Sequence, residues 1–258
     1  MRMATAGKLA AVQGQVRVRG PHAVVSRAAI FAHLEANLPN CGVYWREDLG
    51  VTLSAGLVTT WADQSTSGND VTAAGAARPT YDAARYNDRP ALRFDGVANT
   101  LSRAATNLFG SGAYSMLLVL KVIAIAGNAT FLGNGTGGAG VYFFTGAGNT
   151  RSLLHQGVEV HTDGALQTTS HESWISTRPA ASAPTLRVNG IAVAVTNANP
   201  AVSDPGGAAE LRVGAIGGAS NFSNEDVLTA AMYTRDLSAA EQRLIGARAA
   251  ARYAMNWE

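Results

Sequence analysis

Few residues in this 258-residue chain combine the right type with the right spacing for chemistry. A retaining glycosidase needs two carboxylates about 5 to 5.5 Å apart, one acting as acid and one as nucleophile. On a strand, alternate residues share a face. Glu225 and Asp226 are adjacent, so a strand would turn them to opposite faces. Glu159 and His161 alternate, with Asp163 two residues further on, and they form the best-placed acid–base pair. The histidines, His22, His33, His155, His161 and His171, make no compact metal pattern. There is no Gly-x-Ser-x-Gly nucleophile elbow. The Gly-rich run from Gly133 to Gly138 lacks the Gly-Lys-Ser/Thr ending of a phosphate loop, and a strand follows where a helix would be needed. These patterns nominate no catalytic residue.

Two kinds of ligand site can still be nominated. Asp63, Asn69 and Asp70, together with Asp95, offer loop oxygens of the kind that bind calcium. The same residues also cap turns, because Asx side chains bond nearby backbone, and that use suits these loops better. No cofactor is expected; calcium is the one ion this set would allow. A sugar would need an exposed aromatic face with polar donors and acceptors around it. Asn134, Tyr142, His155 and Asn221 are the rim candidates, whereas Trp61 and Trp174 are assigned to the core. Asn128, Asn134 and Asn221 head Asn-x-Ser/Thr sequons, which carry no weight here without a secretory signal.

The elements that must position these residues are mostly strands. From Trp61 to Gly96 the chain reads as strand, polar turn, Pro-containing extended segment, strand and turn. Leu92 and Phe94 alternate into one face, and Asp95-Gly96 closes the unit. Further strands are expected at 114–125, 129–132, 140–144, 152–160, 173–177, 210–215 and 227–233. Thr185 to Val188, Asn189-Gly190 and Ile191 to Val195 form the clearest hairpin, since Asn-Gly suits a type I′ turn. At the end, Ser238 and Glu241 have capping-box spacing. Leu244, Ile245, Ala249 and Tyr253 then offer an apolar helical side. Ser26 can cap an earlier helix running to Leu38, with Ile30, Phe31, Leu34 and Leu38 as its stripe.

An ordered set of these residues resembles concanavalin A-like, laminin-G-like jelly-roll domains of the bacterial or bacteriophage type. It comprises W-x-D-x-S from Trp61, G-N-D at Gly68, R-P-x-Y at Arg78 and N-x-R-P-x-x-R-F-D-G from Asn87. The hairpin L-x-V-N-G at Leu186 and the closing stretch from Met232 to Glu241 fit as well. The resemblance spans residues from Tyr44 onward. It implies an all-β, antiparallel jelly-roll β-sandwich (44–258), preceded by an N-terminal arm and helix (1–43) and ending in a short C-terminal helix. In hydrolases of this fold the carboxylates sit on one strand as Glu-x-Asp-x-(x)-Glu. That motif is missing here, and Glu225-Asp226 stand where the family commonly has a turn.

Composition bounds the partners. Charged residues make up 15% of the chain and the net charge is +2, too little to imply nucleic acid. Arg2, Lys8, Arg17, Arg19 and Arg27 all precede the first acidic residue, Glu35, so this basic arm could dock on an acidic neighbour. Cys41 is the only cysteine, which excludes an internal disulfide. No run approaches the ~20 apolar residues of a membrane helix, and no signal peptide is seen. The expectation is a non-enzymatic structural or adhesive module of a virion or cell surface, extracellular in location. It would associate with itself or with neighbouring subunits and could touch surface glycans. The alternatives are a soluble carbohydrate-binding lectin and, after that, a glycoside hydrolase or lyase.

Overall fold

A computed structural model describes residues 38–109, 112–124, 127–136, 139–146, 150–155, 158–165, 168–180, 182–194, 209–216 and 220–257. The basic arm and all but the last residue of the expected N-terminal helix lie outside these residues. All strand pairings are antiparallel, and the strands form one continuous hydrogen-bonded network folded into two layers.

Strands β1 (Cys41–Arg46), β5 (Thr80–Tyr86), β6 (Arg89–Asp95), β8 (Tyr114–Ala124) and β13 (Glu172–Arg178) belong to the first layer. So do β14 (Thr185–Val188), β15 (Ile191–Val193) and β17 (Asn224–Tyr233). Its order is β15-β14-β13-β8-β17. The far edge of β17 is shared by β6, followed by β5, along its first half and by β1 along its second. The second layer holds β2 (Val51–Ser54), β3 (Leu57–Trp61), β4 (Val71–Thr72), β7 (Leu101–Arg103) and β9 (Thr130–Thr136). It is completed by β10 (Ala139–Gly146), β11 (Thr150–His155), β12 (Val158–Ala165) and β16 (Glu210–Val213). Here the order is β12-β11-β10-β9-β16-β7-β4-β3-β2, and the single pairing Leu57↔Thr80 links β3 to β5 of the first layer.

The alternation of apolar side chains along each strand explains the layering. Trp45, Phe94, Leu118 and Trp174 of the first layer pack into one core with Leu132, Phe143, Leu153 and Leu211 of the second. Trp174 bridges the layers, with its ring edge-on to Phe131 at 5.5 Å and to Phe143 at 5.6 Å, a favoured aromatic geometry. The other face of the first layer carries Tyr44, Leu117, Val119, Ile175 and Tyr233, and the C-terminal helix Ala239–Tyr253 covers them through Ile245, Ala249 and Tyr253. Ser238 and Glu241 form the capping box that starts this helix. Leu244, expected on the buried side, is 40% exposed.

Two differences from the sequence reading bear on the candidate residues. Residues 152–160 are not one strand: 152–155 end β11 and 158–160 begin β12, its antiparallel partner. The closing strand begins at Asn224, so Glu225 and Asp226 lie within it rather than in a turn. The hairpin at Asn189-Gly190 has both turn residues at positive φ (51° and 88°), as a type I′ turn requires.

Candidate functional site

Strand alternation places Asp226 on the outer face of the first layer and Glu225 on the inner one. Asp226 lies opposite Lys121 on β8 and Arg93 on β6, three charged residues abreast on adjacent strands. Its carboxylate is fully buried. Arg93 grips it with a bidentate fork, Nε to Oδ1 and the second nitrogen to Oδ2 at 3.2 Å. Oδ2 also accepts from Arg85 Nε at 3.1 Å and from the Tyr86 hydroxyl. Tyr86 is brought here by the end of β5, just before the left-handed turn residues Asn87 and Asp88.

His171, the residue before β13, stands edge-on to the Tyr86 ring at 4.0 Å. Lys121 Nζ and the Arg85 guanidinium lie 5.4 and 5.6 Å from the same ring. The result is a half-exposed phenol held between a carboxylate, an imidazole and cations. Burial first, and then the bond to Asp226, push the Tyr86 hydroxyl up to about 12, so the phenol keeps its proton. Burial and the nearby Lys121 hold His171 below the usual histidine range, against the pull of Asp226. The imidazole is therefore neutral near pH 7, and its Nε2 is buried without a hydrogen-bond partner. An unpaired ring nitrogen beside a phenol that keeps its proton can take or give a proton itself.

The inner face holds two further carboxylates. Glu172 is bound by Arg151 and accepts from Trp174 Nε1 at 2.8 Å. Glu225, fully buried, accepts from Ser223 at 2.8 Å and is pushed well above the usual range by desolvation. One raised and one bridged carboxylate could serve as acid and base, but both are sealed inside the sandwich. A substrate cannot reach them, so their role is structural.

The nominated rim residues do not converge. Asn134 is 1% exposed, and its amide is used by the backbone: Nδ2 donates to Thr106 O at 2.6 Å and Oδ1 accepts from Leu108 N at 3.0 Å. Tyr142 is also 1% exposed, its ring lying over Gly133, where a Cβ would fall 1.9 Å from a ring carbon. Neither can face a ligand. Asn221 is exposed, at φ 52°, and its carbonyl accepts from Thr130 N at the start of β9 at 2.8 Å. His155 ends β11, and its side chain lies outside the described residues, as do those of Glu159, His161 and Asp163.

The calcium candidates are occupied as turn caps. Asp63 accepts from the Tyr44, Ser65 and Asn69 backbone amides, and Asp70 accepts from Asp63 N at 2.8 Å. Asn69 Nδ2 donates to Gly42 O. Asp95 Oδ1 accepts three successive amides, from Val97, Ala98 and Asn99. Among the described residues no group of three or more His, Cys, Asp or Glu could hold a metal ion. No helix among them is long and apolar enough to cross a membrane.

No protein-family model matches the sequence, and no curated protein matches it. Solved structures do match the fold. Trypanosoma rangeli sialidase in complex with sialic acid superposes with a TM-score of 0.58 at 15% identity, over 81% of this chain and 33% of that one. An arabinofuranosidase complexed with arabinofuranosyl-alpha-1,2-xylobiose gives 0.56 at 14% identity, over 76% and 51%. A GH54 arabinofuranosidase soaked with a cyclic sulfate inhibitor gives 0.60 at 15% identity over the same shares. The chain thus spans a third of the sialidase and about half of the arabinofuranosidases. At this identity the likeness is one of fold, the jelly-roll-like β-sandwich. These neighbours correct two expectations, that of a non-catalytic structural or adhesive module and that of a non-enzyme. The sandwich found here is shared with parts of these enzymes.

Proposed function

We propose that the chain is a glycoside hydrolase domain that cleaves carboxylate-bearing sugars at the Asp226 cluster. The observation that carries this reading is the Tyr86 hydroxyl bonded to buried Asp226, beside the unpartnered Nε2 of His171. The fold shared with a sialidase supports it, and sialidases are known exceptions that use a tyrosine nucleophile.

The chemistry follows from the positions. Lys121, Arg85 and Arg93 hold the sugar's carboxylate near the Tyr86 ring. Tyr86 Oη attacks the anomeric carbon while Asp226 Oδ2 takes the phenolic proton. The glycosidic C–O bond breaks, and the leaving oxygen takes a proton from the imidazolium form of His171. Water then attacks the anomeric carbon and gives its proton to the neutral imidazole. The tyrosine leaves and recovers its own proton from Asp226. His171 enters as acid with a depressed pKa, so turnover of sugars with poor leaving groups is fastest on the acidic side of neutrality.

The test is hydrolysis of a fluorogenic sialoside by the full chain and by Tyr86→Phe. Activity lost in the variant supports the reading. Equal activity in both proteins would sink it. Saturable binding of the sugar without product in either would move the site to the lectin alternative.

A further inference from the structure

A groove runs between the β14–β15 hairpin and the first turns of the C-terminal helix. It consists of two cavities of about 350 and 330 Å³ that share Arg187, Ala239 and Gln242 as lining. Each is at the small end of the range for ligand pockets, roughly 300 to 1,000 Å³. Trp257 and Arg243 close one end, and Asp236 lies at the other.

Its walls are fixed. Asn189 Oδ1 accepts from Ser173 N at 2.8 Å, which ties the hairpin turn to β13. Arg187 donates to Gly190 O at 2.9 Å, which holds its guanidinium across that turn. The Trp257 ring lies directly on Gly246, where a Cβ would fall 1.9 Å from a ring carbon, so only glycine lets the indole rest against the helix. Arg243 is exposed on the helix beside it. Glu241, the acid of the first helical turn, is taken up by Arg235 at 2.6 Å and does not neutralise these arginines. Asp236 is the only carboxylate among the described lining residues.

We propose that this groove is a second saccharide site, selective for uronic acid residues. An indole wall suits the C–H face of a pyranose, and two guanidinium groups suit its carboxylate. The groove lies on the same sheet face as Asp226, since Arg187 pairs with Ile175, which packs under the helix with Leu117 and Val119. The site uses none of the residues assigned to cleavage. It would therefore hold a remote unit of a longer acidic glycan, where binding energy is gained away from the reacting bond.

The test titrates the full chain with tetragalacturonate and, separately, with cellotetraose, following tryptophan fluorescence and heat. Tetragalacturonate should bind saturably and cellotetraose at least about tenfold more weakly, a difference of ~1.4 kcal/mol. Arg243→Glu, an exposed change that leaves the fold intact, should weaken tetragalacturonate about tenfold. Trp257→Phe should abolish the fluorescence response. Both variants should cleave a small fluorogenic sialoside as the parent does, and Tyr86→Phe should bind tetragalacturonate normally. No saturable binding, equal affinity for the two oligosaccharides, or unchanged affinity in Arg243→Glu would overturn the assignment.

Discussion

Two places on the outer face of the sandwich hold the same chemical set, a carboxylate, a tyrosine hydroxyl and arginine. At one, Asp226 binds Tyr86, Arg85 and Arg93. At the other, Glu47 accepts from Tyr253 at 2.6 Å and from Arg252 at 2.6 Å, with Thr229 sharing the tyrosine hydroxyl. They differ in what covers them. Tyr253 is 2% exposed beneath its own helix, whereas Tyr86 is half-buried and meets solvent. Burial pushes both Glu47 and Tyr253 up, with Arg252 only partly offsetting the effect. Arg252 also reaches Asp48 at 2.6 Å. The covered set is therefore a latch that fastens the helix to β1 and β17. The open set adds an imidazole whose Nε2 has no hydrogen-bond partner. Access, rather than the identity of the groups, separates structure from chemistry here.

Single substitutions at the two sites should separate their effects. The largest expected effect is Tyr86→Phe, which should reduce sialoside hydrolysis by about a thousandfold or more, roughly 4 kcal/mol in barrier height. Its thermal midpoint should barely move. Arg252→Ala should do the reverse. Removing one partner of a buried ion pair costs about 3 to 5 kcal/mol, which calorimetry would record as a lower midpoint while the rate per folded molecule is retained.

The third prediction concerns Glu225, next to Asp226 but inside the core. Its pKa is raised above the unfolded value of 4.5. The folded state therefore holds a proton that the unfolded state loses, and stability falls as pH rises from about 4.5 through the folded pKa. Glu225→Gln should flatten that slope and raise the midpoint at pH 7 by a few degrees, at roughly 2 to 4 °C per kcal/mol. A variant with the parent's slope would place the unusual acid elsewhere. The smallest effect is that of Ser238→Ala, which removes the helix cap and costs about 1 kcal/mol. Because that helix lies over Glu47 and not over Asp226, amide exchange at Tyr253 should quicken while hydrolysis stays unchanged.

Much of this arrangement was legible in local pattern. The alternation of Leu92 with Phe94, the Asn189-Gly190 turn and the Ser238–Glu241 box each act over a few residues, and each appears where expected. Glu225 and Asp226 were expected at a turn before the closing strand; once the strand is seen to begin at Asn224, its period alone sends them to opposite faces. The cluster itself was not legible. Tyr86 and Asp226 are 140 residues apart, and nothing local joins them. One signal was available in Lys121, which interrupts the most apolar strand and so marks a polar patch on its outer face. Tyr142 and Asn134 misled because an aromatic or amide in a Gly-rich strand reads as a sugar contact. Here the ring covers Gly133, and the amide satisfies backbone between β9 and β16.

The central claim is that Tyr86 is the reacting group, and covalent trapping tests it most directly. The full chain would be incubated with 2,3-difluorosialic acid and its intact mass measured, followed by peptide mapping. The account predicts one sugar adduct, located on Tyr86 and missing in Tyr86→Phe. No adduct, or an adduct that persists in the variant, would contradict it.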